Sequence, residues 1–122
     1  MTSDPTSRRL GLRAGQKLRT AAEFERARKS RERYSDALFL VQCADGGPGR
    51  ARLGMAVGVR AIGNAVRRNR LRRLIRESFR MNRPRLPALD VFVTAKAPAR
   101  GAGNREVLAS LEGLWQQIID AR

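Results

Sequence analysis

The chain of 122 residues predicts a small single-domain α+β sandwich, one mixed sheet with helices packed on it. The expected element order is α-β-β-α-β-α, with room for an extra short strand near residues 31–36. Three observations lead there. Apolar residues recur at every second position between Tyr34 and Val59, and Val91–Ala95 is a compact β-branched and aromatic run. They recur at helical spacing over residues 64–81 and again over 104–119. The length suits one hydrophobic core, and no repeat or linker divides it.

Residues 1–17 are polar, basic and turn-rich, and read as a flexible N-terminal arm ahead of a domain over 18–122. Thr20 is a candidate N-cap with Glu23 at the capping-box position, opening a helix that presents Phe24 and Ala27 on one face until about Lys29. Ala37–Cys43 is apolar on both faces, as a strand inside a sheet must be. Asp45-Gly46-Gly47-Pro48-Gly49 is a turn. The next strand, Arg52–Val59, sends Leu53, Met55, Val57 and Val59 one way and Gly54, Ala56 and Gly58 the other. That nearly bare face suits either a closely packed helix or a ligand backbone.

Asn64 is the N-cap of the principal helix, which runs to about Met81 before Asn82-Arg83-Pro84 ends it. Leu71, Leu74, Ile75, Ser78 and Phe79 form its buried stripe. Val91–Ala95 is a third strand. The last helix opens at Asn104, carries Glu106 in its first turn and buries Val107, Leu108, Leu111, Leu114, Trp115, Ile118 and Ile119. Trp115 therefore reads as core and not as a stacking platform for a base.

Charge narrows what such a domain can do. There are 26 Lys and Arg against 11 Asp and Glu, a net +15, with no histidine and one cysteine. Lacking histidine, the chain has no Ser/His or Cys/His catalytic pair and no His metal ligand. Cys43 alone can form neither an internal disulfide nor a cysteine zinc site. A net charge of this size calls for a polyanion. Nothing near Met1 resembles an export signal and the longest apolar runs are strand-sized, so a soluble cytoplasmic protein with no membrane partner is expected.

Nine of the fifteen net charges fall within residues 60–85. On the principal helix Arg68, Arg72 and Arg76 share a flank at i, i+4, i+8, with Asn69, Arg73 and Arg80 beside them and Arg70 on the opposite flank. Glu77 is the one acid in that run. Guanidiniums crowded this way repel one another, and phosphates relieve the repulsion because each planar fork can hold two phosphate oxygens. Of the 26 basic residues 23 are Arg, which fits phosphate geometry and equally a codon-composition bias. A strand precedes the helix, where a helix-turn-helix reader has another helix, so a shaped RNA is the better fit.

The stretch from Ile62 to Arg80, with Arg68-Asn69-Arg70 at its centre followed by Arg72-Arg73 and Arg76-Glu77, closely resembles the signature of the protein subunit of bacterial ribonuclease P. Leu18-Arg19 leading to Phe24, the strand from Arg52 to Val57, the strand from Asp90 to Lys96 and a final helix around Leu111–Trp115 continue the likeness over roughly residues 16–119. The resemblance implies an RNA-binding domain with a left-handed β-α-β crossover, against the usual rule. It implies a ribonucleoprotein hydrolase, an endonuclease that removes the 5′ leader of precursor tRNA in tRNA processing. The catalyst would be its RNA subunit with Mg²⁺ bound mainly there, so the protein would supply no catalytic residue and hold no metal by itself.

By the same resemblance Arg68, Asn69, Arg70, Arg72, Arg73 and Arg76 meet the catalytic RNA. A cleft between the first helix and the sheet holds the single-stranded leader, with Phe24, Arg28, Val41 and Arg60 at the corresponding positions. Arg28 and Val41 stand where the family often has aromatics, and Val59-Arg60 where it usually has two lysines. The implied partners are the catalytic RNA and precursor tRNA, with no protein partner. A structural binder of ribosomal RNA is the alternative that charge and fold would also permit. Asp36 and Asp90 are carboxylates whose roles the sequence leaves open.

Overall fold

The computed structural model describes residues 21–46 and 49–122, with the backbone alone for Ala21, Glu23 and Phe24. The elements are α1 (Ala21–Arg28), β1 (Glu32–Ser35), β2 (Phe39–Asp45), β3 (Arg52–Ala56), α2 (Val59–Ile62), α3 (Ala65–Asn82), β4 (Leu89–Ala95) and α4 (Asn104–Asp120). Short 3₁₀ turns follow α3 and β4 at Arg83–Arg85 and Ala97–Gly101. The arm expected over residues 1–17 and the Thr20 cap lie outside the described residues.

The sheet runs β1-β2-β4-β3, with β1/β2 and β2/β4 antiparallel and β3/β4 parallel. The parallel pair forces the chain to cross over the sheet between β3 and β4, and α2 and α3 make that crossover. β2 lies inside the sheet, as its two apolar faces require. The extra strand is β1, a polar edge strand whose alternate residues are exposed.

One face of the sheet carries the main core. Phe39, Val41, Cys43, Leu53, Val91 and Val93 pack there with Leu71, Leu74, Ile75 and Phe79 of α3 and with Val107, Leu111, Leu114, Trp115 and Ile118 of α4. Phe79 and Trp115 meet edge to face at 6.0 Å, and the indole Nε1 donates to Ser78 Oγ at 2.8 Å. That bond offsets the cost of taking the polar edge of a fully buried indole out of water. Leu108 and Ile119 are half-buried at the margin.

The other face receives α1. Ala27 packs on Phe92 and Ala56, and Gly54 is buried beneath, so the small residues of β3 serve close packing along this stretch. Gln42 Nε2 donates to the carbonyl of Arg28, closing the last turn of α1 onto β2.

Two expectations are corrected. β3 stops at Ala56, so Val59 does not continue its buried row: it opens the four-residue α2 and is 64% exposed. Val41 is fully buried and shares its sheet face with Phe39 and Cys43, away from α1, so it has no surface to offer a leader. The positions of β2 that face α1 are the neighbouring ones, Leu40 and Gln42, because successive side chains alternate across a strand.

Candidate nucleic-acid interface

The arginine helix is fixed at its start by its own sequence. Gly63 adopts φ +102, a conformation that L side chains rarely take, and its N–H bonds the carbonyl of Val59 at 2.8 Å, ending α2. Asn64 then caps α3, its side-chain oxygen accepting from the Arg67 N–H at 3.0 Å. The expected stripe Leu71, Leu74, Ile75, Ser78 and Phe79 is buried, with Asn82 added. Burying each large apolar side chain of this kind contributes about 1.5–3 kcal/mol, so the helix can roll little about its axis and its arginines stay outward.

Along the flank beside β3, Arg68 is half-buried and its Nε donates to the carbonyl of Gly63 at 3.1 Å, so the remaining guanidinium N–H groups project from a fixed stem. The side chains of Arg67 and Arg100 approach the same turn, within 3.9 Å of where a Cβ on Gly63 would sit. One turn on, Arg72 Nη1 bonds Asn69 Oδ1 at 3.2 Å on the exposed surface. Arg76 follows, half-buried, and Arg73 and Arg80 are exposed outside it. Arg73 Nε lies 4.0 Å from Glu77, a long surface pair of small worth.

Arg70 differs from its neighbours. Its Nη2 donates to the carbonyl of Ala102 at 2.7 Å and its Nε to Asn104 Oδ1 at 2.9 Å, tying α3 to the start of α4. The structure therefore places Arg68, Asn69, Arg72, Arg73 and Arg76 along one side of the helix and Arg70 on the other, against α4. Arg60 is exposed in α2, next to that end of α3. Arg28 is exposed at the end of α1 and pairs with Glu25. The side chain of Phe24 is outside the described set.

A charged group whose role the sequence leaves open lies on the α1 face of the sheet. Asp90, at the start of β4, is fully buried, and Arg52 grips it with Nε at 2.9 Å from Oδ1 and Nη2 at 3.0 Å from Oδ2. Arg26 of α1 adds Nη2 at 3.1 Å. Two cations against one anion anchor α1 to the sheet and leave the side of the cleft basic. The signal in the sequence was an aspartate at the head of a strand that is otherwise almost wholly apolar.

Among the described residues no group of three or more His, Cys, Asp or Glu could hold a metal ion, and Asp90 is already committed to two guanidiniums. No described helix is long and apolar enough to cross a membrane.

The chain matches the family model described as Ribonuclease P over residues 12–119. It is 35% identical over 108 residues to the "Ribonuclease P protein component" of Coxiella burnetii, covering 88% of this chain and 89% of that one. Its fold is similar to the RNase P protein of Staphylococcus aureus, with a TM-score of 0.77 at 29% identity over 84% of this chain and 94% of the other. The RNase P protein of Thermotoga maritima is similar too, with a TM-score of 0.73 at 29% identity over 84% and 96%. A family match spanning nearly the whole domain, on a helix that carries the arginine signature outward, identifies the chain as a member of the ribonuclease P protein family, a subunit of the RNA-based endoribonuclease that processes the 5′ leader of tRNA.

Proposed function

We propose that the exposed side of α3, with Arg68, Asn69, Arg72, Arg73 and Arg76, binds the catalytic RNA, and that Arg70 joins it from the α4 flank while also bracing the fold. The observation that carries this is the one-signed row itself: five arginines in the central turns of one helix against a single acid, Glu77. Neutralising phosphates on a folded RNA removes their mutual repulsion and releases counterions. The protein then supplies charge and shape, while the Mg²⁺ of the reaction is held mainly by the RNA.

The single-stranded leader of precursor tRNA runs in a cleft between α1 and the sheet, with Phe24, Arg28 and Arg60 as the residues that the family resemblance assigns to it. The Arg26–Asp90–Arg52 group supports this reading, since it holds α1 at a fixed height over a basic wall. The connection from β3 to β4 is left-handed, as the family resemblance implies; a right-handed connection in a crystal structure would reject that part. The protein works in the cytoplasm, as one domain over residues 18–122 preceded by a basic arm, with no protein partner required.

Reconstitution tests the function. Purified protein added to the catalytic RNA at low Mg²⁺ raises the rate of leader removal from precursor tRNA; no rise rejects the assignment. Cosedimentation with ribosomal subunits in place of that stimulation would favour a structural binder of ribosomal RNA.

A further inference from the structure

The arginine row does not end where the family-like motif ends. Arg83 follows the last residue of α3 and still has helical angles, φ −54 and ψ −40. At 100° per residue it falls about 60° round from Arg68, between Arg72 at about 40° and Arg76 at about 80°. It therefore lies on the same flank, beyond Arg76 and past the reach of the signature stretch. Proline at 84 holds the next turn, and Arg85 leaves for the other side, where it bonds Asn82 and Gln116.

What Arg83 meets there makes a site. Its Nε donates to the carbonyl of Ala51 at 2.8 Å, so the guanidinium is held against the start of β3 with its other N–H groups uncommitted to that bond. Arg50, exposed, is the preceding residue, and its positive charge acts on Arg83. Partial burial, together with that neighbouring charge, holds the Arg83 guanidinium below its ordinary value. Among the described residues no carboxylate lies within ion-pair distance of either side chain. Two like charges kept together by a backbone bond, one half-buried, are unfavourable without an anion between them.

We propose that Arg50 and Arg83 form a second phosphate-binding site, which extends the α3 row along the β3 edge and takes a backbone phosphate of the same RNA. This rests on the reading of α3 as the RNA-binding helix and lengthens its footprint by about two helical turns. The antiparallel run of α3 against β3 explains the placement: Arg68 stands beside Gly63 after the end of β3, and Arg83 stands beside Ala51 at its start.

The test compares the salt dependence of binding to the catalytic RNA for three proteins besides the wild type. Arg50→Ala removes an exposed side chain that makes no described bond. Arg50→Ala with Arg83→Gln removes both charges while leaving an amide donor for the Ala51 carbonyl. Arg68→Ala with Arg72→Ala reports on the α3 row alone. Each phosphate contact contributes roughly 0.7–0.9 to the slope of log affinity against log salt. With one phosphate held at the site, the Arg50/Arg83 pair is expected to be shallower by roughly 0.7–0.9 and the single variant by no more than that. An unchanged slope for the Arg50/Arg83 pair, with a shallower one for Arg68/Arg72, overturns this site and leaves the α3 reading standing. Unchanged slopes for both pairs overturn the site and that reading together.

Discussion

Arg52 holds Asp90 through two parallel hydrogen bonds, 2.9 Å from Nε and 3.0 Å from Nη2, on a carboxylate that no solvent reaches. The fork fixes both oxygens, and Arg26 closes the third side from α1. Asp90→Asn leaves two guanidiniums facing an uncharged amide. Removing one member of a buried pair costs about 3–5 kcal/mol, and Arg26 at 54% exposed recovers part of that by hydration, so a loss of roughly 2–3 kcal/mol is expected. Urea unfolding measures it, and a stability equal to wild type would mean the group does not anchor α1.

The two faces of α3 should separate in experiment. Leu74→Ala truncates a buried side chain and is expected to cost roughly 2–5 kcal/mol. Arg68→Ala with Arg72→Ala forfeits a partly exposed bond to Gly63 and a surface bond to Asn69, and is expected to cost about 1 kcal/mol. Equal losses in the two proteins would place the helix inside out.

Arg70 is expected to serve both ends. Arg70→Ala should lower stability by about 1–2 kcal/mol, because the Ala102 carbonyl and the Asn104 side chain lose their donors, and should speed amide hydrogen exchange in the first turn of α4. Unaltered exchange there would show that the contact carries no weight.

Cys43 sets an alkaline limit. Burial, with a smaller effect of the Glu32 charge, pushes its thiol from 9.0 up to about 12. An acid whose folded value is raised stabilises the fold fully below the unfolded value and loses that contribution as the pH climbs through the folded one. Stability is therefore expected to fall between pH 9 and about 12. Tyr34, raised to about 12 by desolvation and by its bond to Glu32, adds to the upper part of that window. At pH 8 iodoacetamide should leave the native thiol unmodified and react once urea unfolds the chain; native labelling at the unfolded rate would contradict the burial.

Much of this was legible because it is local or periodic. The Asn64 cap, the Leu71–Phe79 stripe and the outward arginines follow from spacing along one helix, and so does the apolar face of α4 down to Trp115. The misreadings come where tertiary geometry decides. Val59 keeps the alternation of β3 by coincidence, although Gly58 has already turned the chain into α2. Val41 stands where the family often has an aromatic, and one residue of register reverses the face of a strand. The Arg52–Asp90 bond joins residues 38 positions apart, and the Arg70–Ala102 bond 32, so no window along the chain contains them. Arg83 was hidden by the proline that follows it, which reads as a helix end although Arg83 itself stays helical.

The most direct measurement is the affinity of the intact protein for the catalytic RNA as salt rises. If about six arginine–phosphate contacts hold the complex, affinity falls roughly 10³-fold between 50 and 200 mM monovalent salt, and Arg68→Ala with Arg72→Ala flattens that dependence. A wild-type affinity that stays constant over this range would contradict the electrostatic basis of the interface.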